Sequence, residues 1–426
     1  MMLKFLLALK RFLYELLADL LFPVMLFHIA WRMMKNPEYK KRVGEWFGRY
    51  FYTLNNTIWI HAVSGGEVIT IQPMVEQLLK DYPHRPILIT TTTITGAKQV
   101  ERLFANRVHH AFLSIDLQFS VKTFLAAMQP RAAIFVETEI WPTLLCACEK
   151  NGINTFLINA RLSEKSFKRY RLVKWLIEEA LQSFKHIAVQ TEVEAERFHQ
   201  LGVRYQQMTV TGSLKFDVMR EDRLFTDAAA LREQLGRDRF VWCAASTHPG
   251  EEKMVLAAHE LVLKHIPSAL LILVPKRPDR FKEVQVLVER SFRMVSRRQH
   301  ELPAHHTEVY FGDTLGELVL LYAASDVAFV GGSLVPHGGH NLLEPASVNC
   351  PIISGRYLQN FHVISQLLTA AKGLILVDDA ASLADALLSL QANPQGARAQ
   401  AQRAHRVYAA NRGALQKQYA ILRQYL

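Results

Sequence analysis

The stretch Phe329-Val-Gly-Gly-Ser-Leu-Val-Pro-His-Gly-Gly-His-Asn-Leu-Leu-Glu-Pro-Ala346 runs an apolar strand into two Gly-Gly turns, then into an Asn and a Glu at a predicted helix start. That grammar suits a bound nucleotide. Gly331 and Gly332 allow backbone to approach a ligand, Ser333 offers a hydroxyl, and Glu344 is placed to hold ribose hydroxyls. The amides of Gly338 and Gly339 precede a helix whose N-terminus would attract an anion. A glycine-rich loop with no ligand reads the same way locally, because a short glycine motif is weak on its own. The rest of the chain has to decide.

Outward from this stretch, short β-branched runs alternate with helical segments, the pattern of parallel sheets covered on both faces. It occurs twice. Predicted strands of the first half are 58–63, 87–91, 132–136, 155–158, 187–189 and 208–210; those of the second are 240–244, 270–274, 309–311, 327–330 and 351–353. A polar stretch over 217–230 separates the halves. Residues 394–426 contain no acid and read as closing helices. At 426 residues the chain is too long for one ordinary core. The expected organisation is a membrane anchor with a basic juxtamembrane segment over 1–45, an N-terminal domain over 46–217, a C-terminal domain over 218–393 and closing helices over 394–426. Two doubly wound, Rossmann-like α/β domains in tandem place ligands at the carboxyl ends of their strands, in a cleft between the halves.

The net charge of +11 points to an anionic partner. Basic residues concentrate in 1–50 (nine against four acids), 161–174 (six against one) and 276–298 (eight against three). No nucleic-acid-reading motif accompanies them, so no nucleic-acid partner is expected. Cys146, Cys148, Cys243 and Cys350 are too few and scattered for a disulfide framework and lack a second pair for zinc. The N-terminus is apolar but interrupted by Lys10, Arg11, Glu15 and Asp19, with its unbroken run confined to Leu20–Trp31. Residues 3–34 read as an uncleaved anchor lying in or partly entering a bilayer, with Arg32, Lys35, Lys40, Lys41 and Arg42 on the cytoplasmic side against anionic lipids.

The loops after the predicted strands are chemically rich. They include His61-Ala-Val-Ser-Gly-Gly-Glu67, Glu137-Thr-Glu-Ile-Trp-Pro142, Asn159-Ala-Arg-Leu-Ser163, Gly212-Ser-Leu-Lys-Phe-Asp217, Ala245-Ser-Thr-His-Pro-Gly-Glu-Glu252 and Gly312-Asp-Thr-Leu-Gly-Glu317. Glu67, with Ser64 and Gly66 just before it, sits at a helix start facing the cleft, where it is a general base or a stabiliser of the first helical turn. Glu137 and Glu139, on an extended backbone, would point the same way. Lys215 either brings an ammonium to the cleft or forms a salt bridge at the hinge. Ser246 is a polar contact or a helix cap, and Arg161 is a contact or a partner of Glu164. His248, His337 and His340 lack metal-ligand spacing, and no Asp-x-Asp closes a strand, so no catalytic metal and no cofactor are expected.

In this order, these motifs together with the Phe329–Ala346 stretch closely resemble the 3-deoxy-D-manno-octulosonic acid (Kdo) transferases of lipopolysaccharide synthesis. The resemblance covers most of the chain. It implies a GT-B glycosyltransferase of the inner membrane of a Gram-negative bacterium, with CMP-Kdo as donor and a lipid A precursor as acceptor. It puts the catalytic base on Glu67 and transition-state stabilisation on Glu137 and Lys215. It assigns CMP contacts to Pro275 and Lys276, to Leu315, Gly316 and Glu317, and to Asn341, Leu342, Leu343 and Glu344. Gly332 and Ser333 are further candidates. Two departures stand out: Gly65 replaces a larger apolar residue, and Lys276-Arg277 replaces Arg-His, so a bidentate phosphate contact is lost or moves to Arg277. A GT-B enzyme using a UDP-sugar and a lipid-linked acceptor would share the architecture without the whole motif set.

Overall fold

The structure is a computed structural model that describes residues 20, 22–27, 29–217 and 223–426. Its contacts divide the chain into two units; the first ends at Asp217 and recovers Arg412–Leu426, and the second ends at Asn411.

The first unit is built on a seven-stranded sheet of β1 (Thr57–His61), β2 (Ile87–Thr91), β3 (His109–Phe112), β4 (Pro130–Val136), β5 (Asn154–Ala160), β6 (His186–Val189) and β7 (Met208–Val210), ordered 3-2-1-4-5-6-7. The second carries β8 (Val241–Thr247), β9 (Leu270–Pro275), β10 (Met294–Ser296), β11 (Val309–Phe311), β12 (Val327–Val330), β13 (Ile352–Gly355) and β14 (Leu374–Val377), ordered 10-11-9-8-12-13-14. Every pairing is parallel. The α/β expectation therefore holds, with two doubly wound sheets.

β1 shows why such strands read as continuous apolar runs. All five residues are buried; Ile58 and Ile60 enter one core with Val68, Val75 and Ile134, while Trp59 enters the other with Phe124 and Phe135. A strand buried on both faces has no polar side to alternate with. Each full burial of such a side chain contributes about 1.5–3 kcal/mol. The strands that the sequence pattern misses, β3, β10 and β14, all lie at sheet edges. An edge strand pairs on one side only and tolerates exposed or half-buried positions, as at His109, Met294 and Ile375, which dilutes the apolar run.

The acid-free C-terminal region splits between the units. In the Pro394–Ala410 helix, Gln400 donates to the Ile352 carbonyl at 2.8 Å, within the second unit. The Ala414–Arg423 helix is tied to the first unit, where the Asp217 carboxylate accepts the Gly413 and Leu415 N–H groups at 2.8 and 2.7 Å.

The expected anchor over 3–34 lies largely outside the described residues. Its described end, helical to Lys35, leaves Leu20, Val24, Phe27 and Met34 exposed and packs Ile29 with Tyr39, Trp46 and Phe112. Among the described residues no helix is long and apolar enough to cross a membrane.

Candidate active site

In doubly wound sheets the strand order reverses at one point, and the loops there open a crevice. In the first sheet that point lies between β1 and β4, and the loops after these strands carry Glu67 and Glu137. Ser64 caps the short Gly65–Thr70 helix by accepting the Glu67 N–H. The Glu67 carboxylate accepts from the Val63 N–H at 2.7 Å and from the Ser64 hydroxyl at 3.0 Å. Glu67 thus closes the first helical turn and also presents a carboxyl group. Burial pushes its pKa up to about 7, and the nearby Glu137 charge pushes the same way, against the two hydrogen bonds. A carboxyl near 7 is poised to exchange protons at neutral pH. A Cβ at Gly65 would sit 3.2 Å from the Thr95 carbonyl oxygen, so a larger residue there would need that loop to give slightly.

Glu137 and Glu139 have different partners. β4 ends at Val136, and Glu137 adopts a left-handed backbone with φ of 64°, which breaks the extended geometry assumed from the sequence. Glu137 reaches Lys215 Nζ at 3.6 Å and Arg161 at 3.9 Å. Glu139 accepts from Trp141 Nε1 at 2.8 Å and lies 3.5 Å from the buried His61 ring, while its charge, like that of Glu137, acts on Glu67. Arg161 therefore does not pair with Glu164, whose partner is Lys168 at 2.7 Å. Lys215 sits on a single 3-10 turn, Leu214–Phe216, held by buried Asn159, whose Oδ1 accepts the Leu214 N–H at 3.0 Å. Asn159 is itself left-handed, with φ of 50°. Sequence reasoning missed this positioning role; an Asn at the end of an apolar strand was the available signal. Non-glycine residues in this region cost free energy and concentrate where function holds them.

In the second sheet the order reverses between β8 and β12, and the glycine-rich stretch follows β12. The amides of Gly332, Ser333 and Leu334 are not open. The fully buried carboxylate of Glu251, at the start of the Glu251–His265 helix, accepts from the N–H groups of Gly332 (2.6 Å), Ser333 (2.8 Å), Leu334 (2.8 Å) and His248 (2.9 Å). The Gly339 N–H donates to the Gly332 carbonyl at 2.7 Å. The helix that was to attract an anion is only the five residues Leu343–Ser347. Ser333 is also withdrawn: its buried hydroxyl donates to Val330 and accepts from the Gly355 N–H. Ser246 caps nothing, because Gly250 is the helix N-cap; Ser246 instead takes a φ of 58° inside β8.

The histidine spacing is misleading in sequence. β8 and β12 are neighbours, so the loops that follow them bring His248, His337 and His340 together with ring nitrogens within 4.8 Å of one another, a grouping able to hold a metal ion. Separation along the chain hid it.

The sequence model of 3-deoxy-D-manno-octulosonic-acid transferase (kdotransferase) matches residues 40–218. The 3-deoxy-D-manno-octulosonic acid transferase of Haemophilus influenzae is 38% identical over 421 residues, covering 98% of this chain and 99% of that protein. The chain belongs to the Kdo transferase family. The Bordetella pertussis transferase is 34% identical over 379 residues, 87% of each chain. Among solved structures, the UDP-GlcNAc 2-epimerase of Neisseria meningitidis shares the fold with a TM-score of 0.56 at 14% identity, covering 86% of this chain and 100% of that one.

The residues expected from the sequence to contact the donor fall on three loops of the second unit. Pro275 ends β9 and Lys276 is exposed just beyond it; Arg277 forks onto Asp279 at 3.1 and 2.8 Å. Gly316 is left-handed beside exposed Leu315, and Glu317 is gripped by Arg297 at 2.7 and 2.8 Å, which holds its carboxyl below the usual range. Asn341 donates to Glu344 at 3.3 Å and accepts the Leu343 N–H at 3.1 Å, while Leu342 and Leu343 bury their side chains. Burial raises the Glu344 pKa, and Lys276 and Asn341 oppose that rise. Lys276, His340 and Glu344 therefore share one electrostatic neighbourhood.

Proposed function

We propose that this enzyme transfers Kdo from CMP-Kdo to a hydroxyl of a lipid A precursor of the lipid IVA type, releasing CMP, at the cytoplasmic face of the inner membrane. The observation that carries the reading is the carboxyl of Glu67, held by Val63 and Ser64 with its pKa near 7. The acceptor hydroxyl attacks the anomeric carbon from the face opposite the phosphate and gives its proton to Glu67. The bond from that carbon to the phosphate oxygen breaks, and its electron pair leaves with CMP. One displacement of this kind inverts the anomeric centre.

Glu137 stabilises the developing oxocarbenium charge, and Lys215 and Arg161 beside it offer cationic help to the sugar acid or leaving phosphate. In the second unit, Pro275, Lys276, Leu315–Glu317 and Asn341–Glu344 bind the nucleotide without a metal ion. The N-terminal segment lies against the bilayer. The Glu164–Leu172 helix presents Lys165, Lys168, Arg169 and Arg171, followed by exposed Leu172 and Trp175, a combination suited to anionic headgroups and acceptor phosphates.

The test is to incubate detergent-solubilised protein with a tetraacylated lipid A precursor, Kdo, CTP and a CMP-Kdo synthetase, and to record the lipid mass spectrum. A gain of one or more Kdo units is expected. An unchanged lipid in the presence of folded enzyme would sink the assignment.

A further inference from the structure

The amides of the glycine-rich loop, where the sequence leads one to seek a phosphate, are largely consumed by Glu251 and by the Gly332 carbonyl. An oxyanion arriving beside Gly332, Ser333 and Leu334 would be met by side chains. Those available are the three histidines and Lys276. His248 Nε2 and His340 Nε2 are 2.8 Å apart, so one donates its proton to the other. The His337 ring stacks on His248 with centroids 3.5 Å apart. Gly332 makes room for the pair: with φ of 68°, its missing Cβ would lie 2.9 and 3.0 Å from His340 Cδ2 and Nε2. Next to His248, the Thr247 hydroxyl is fully buried and has no hydrogen-bond partner within the described chain.

The surroundings decide which sign of charge this cluster accepts. Lys276 acts on both His248 and His340, and Arg277 and Arg280 act on His248. Arg277 is paired with Asp279, and Arg280 with Glu252 and Glu283, whereas Lys276 has no ion pair among the described residues. Two carboxylates of these loops are already committed: Glu251 to four N–H groups, and Glu344 to Asn341, with its charge disfavoured by burial. No carboxylate joins the three rings. A divalent cation would meet net repulsion there, whereas an anion would complete the charge balance.

We infer that His248, His340 and Lys276 form an oxyanion site for the sugar-nucleotide donor, with the Lys276 ammonium and the one imidazole N–H not spent between the two rings as donors and His337 as its exposed wall. The inference rests on the donor reading proposed above and adds residues to it. Two oxyanions of CMP-Kdo share this chemistry, the phosphate and the sugar carboxylate. The placement of Lys276 beside His340 and Glu344 favours the phosphate.

The test uses calorimetric titration of the full chain in detergent with CMP, cytidine, free Kdo, inorganic phosphate and, separately, Zn2+, for wild type, His340→Gln, His248→Gln and His337→Ala. His340→Gln and His248→Gln should weaken CMP at least about tenfold and leave cytidine unchanged, because cytidine lacks the oxyanion. A merely structural role would weaken both ligands together and would overturn the inference. Sensitivity of free Kdo, rather than CMP, to His340→Gln would place the carboxylate at the site and retain it. If wild type binds no CMP but binds inorganic phosphate in a His340-dependent manner, the donor reading falls and the anion site stands; if it binds neither, both fall. Stoichiometric Zn2+ binding lost in His340→Gln, with CMP affinity unaffected, would make the cluster a cation site and refute the proposal. His337→Ala, at an exposed position, guards against misfolding, and a modest loss for CMP alone is expected.

Discussion

Glu67 and Glu251 occupy matching places in the two units. Each follows the first strand of its sheet at the point where strand order reverses, each is preceded by a glycine, and each opens a helix. Their fates differ in the number of donors they receive. Glu251 is met by four backbone N–H groups, three of them supplied by the loop after β12. Glu67 receives one N–H and one hydroxyl and feels the charge of Glu137 nearby. A saturated carboxylate is a structural clamp, whereas one held by two bonds and desolvated is free to take a proton. The same local grammar thus yields a fastener in one unit and a base in the other, and the neighbouring loop sets the outcome.

The sharpest way to break the comparison is Glu67→Gln. The amide can keep the Val63 contact but accepts no proton, so Kdo transfer should fall by about 10^3-fold, within the range seen for loss of a general base. The stability change should have the opposite sign. A carboxyl whose folded pKa is raised from 4.5 to about 7 destabilises the fold increasingly as pH rises through that window, and fully above it. Glu67→Gln should therefore leave thermal stability unchanged near pH 4 and raise it at pH 8, by at most about 3 kcal/mol. A variant less stable at pH 8 would show that Glu67 is a clamp like Glu251.

Glu251→Ala is the converse. Removing that carboxylate strands buried N–H groups, each worth about 1–3 kcal/mol when left unpaired, so a loss of about 3 kcal/mol or more is expected by denaturant titration. An effect under about 1 kcal/mol would mean that water or loop rearrangement replaces it easily. Glu137→Gln comes next. Transfer should fall by about 10^2-fold. Because the Glu137 charge raises the Glu67 pKa, the acid limb of the pH–kcat profile, which climbs as Glu67 deprotonates through about 7, should move to lower pH. A limb that stays in place would detach the two residues.

How far the sequence could be read follows from the same contrast. Central strands such as β1, β4, β8 and β12 are legible because burial on both faces leaves a continuous apolar signature, and Glu67 is legible because its donors, Val63 and Ser64, lie within four residues. The role of Glu251 is not, since its partners lie some eighty positions further on. The different partners of Glu137 and Glu139 are hidden too, because one left-handed residue after an apolar strand leaves no compositional trace. The histidine cluster arises from the adjacency of β8 and β12, a property of topology rather than of spacing.

The finest test lies in the bonds that separate Glu67 from a free carboxylate. Ser64 both caps the helix through the Glu67 N–H and donates to the Glu67 side chain. Ser64→Ala should cost about 1 kcal/mol as a lost N-cap. It also removes one of the two hydrogen bonds that hold the Glu67 pKa down, so that pKa should rise above about 7. Activity should then drop a few-fold at pH 7 and recover at pH 8.5, where the carboxyl is ionised again. Recovery with alkali while stability stays low would separate the cap from the base; an equal loss at both pH values would mean that Ser64 positions Glu67 rather than tuning it, and that the geometry of the loop, more than the number of its donors, distinguishes the two glutamates.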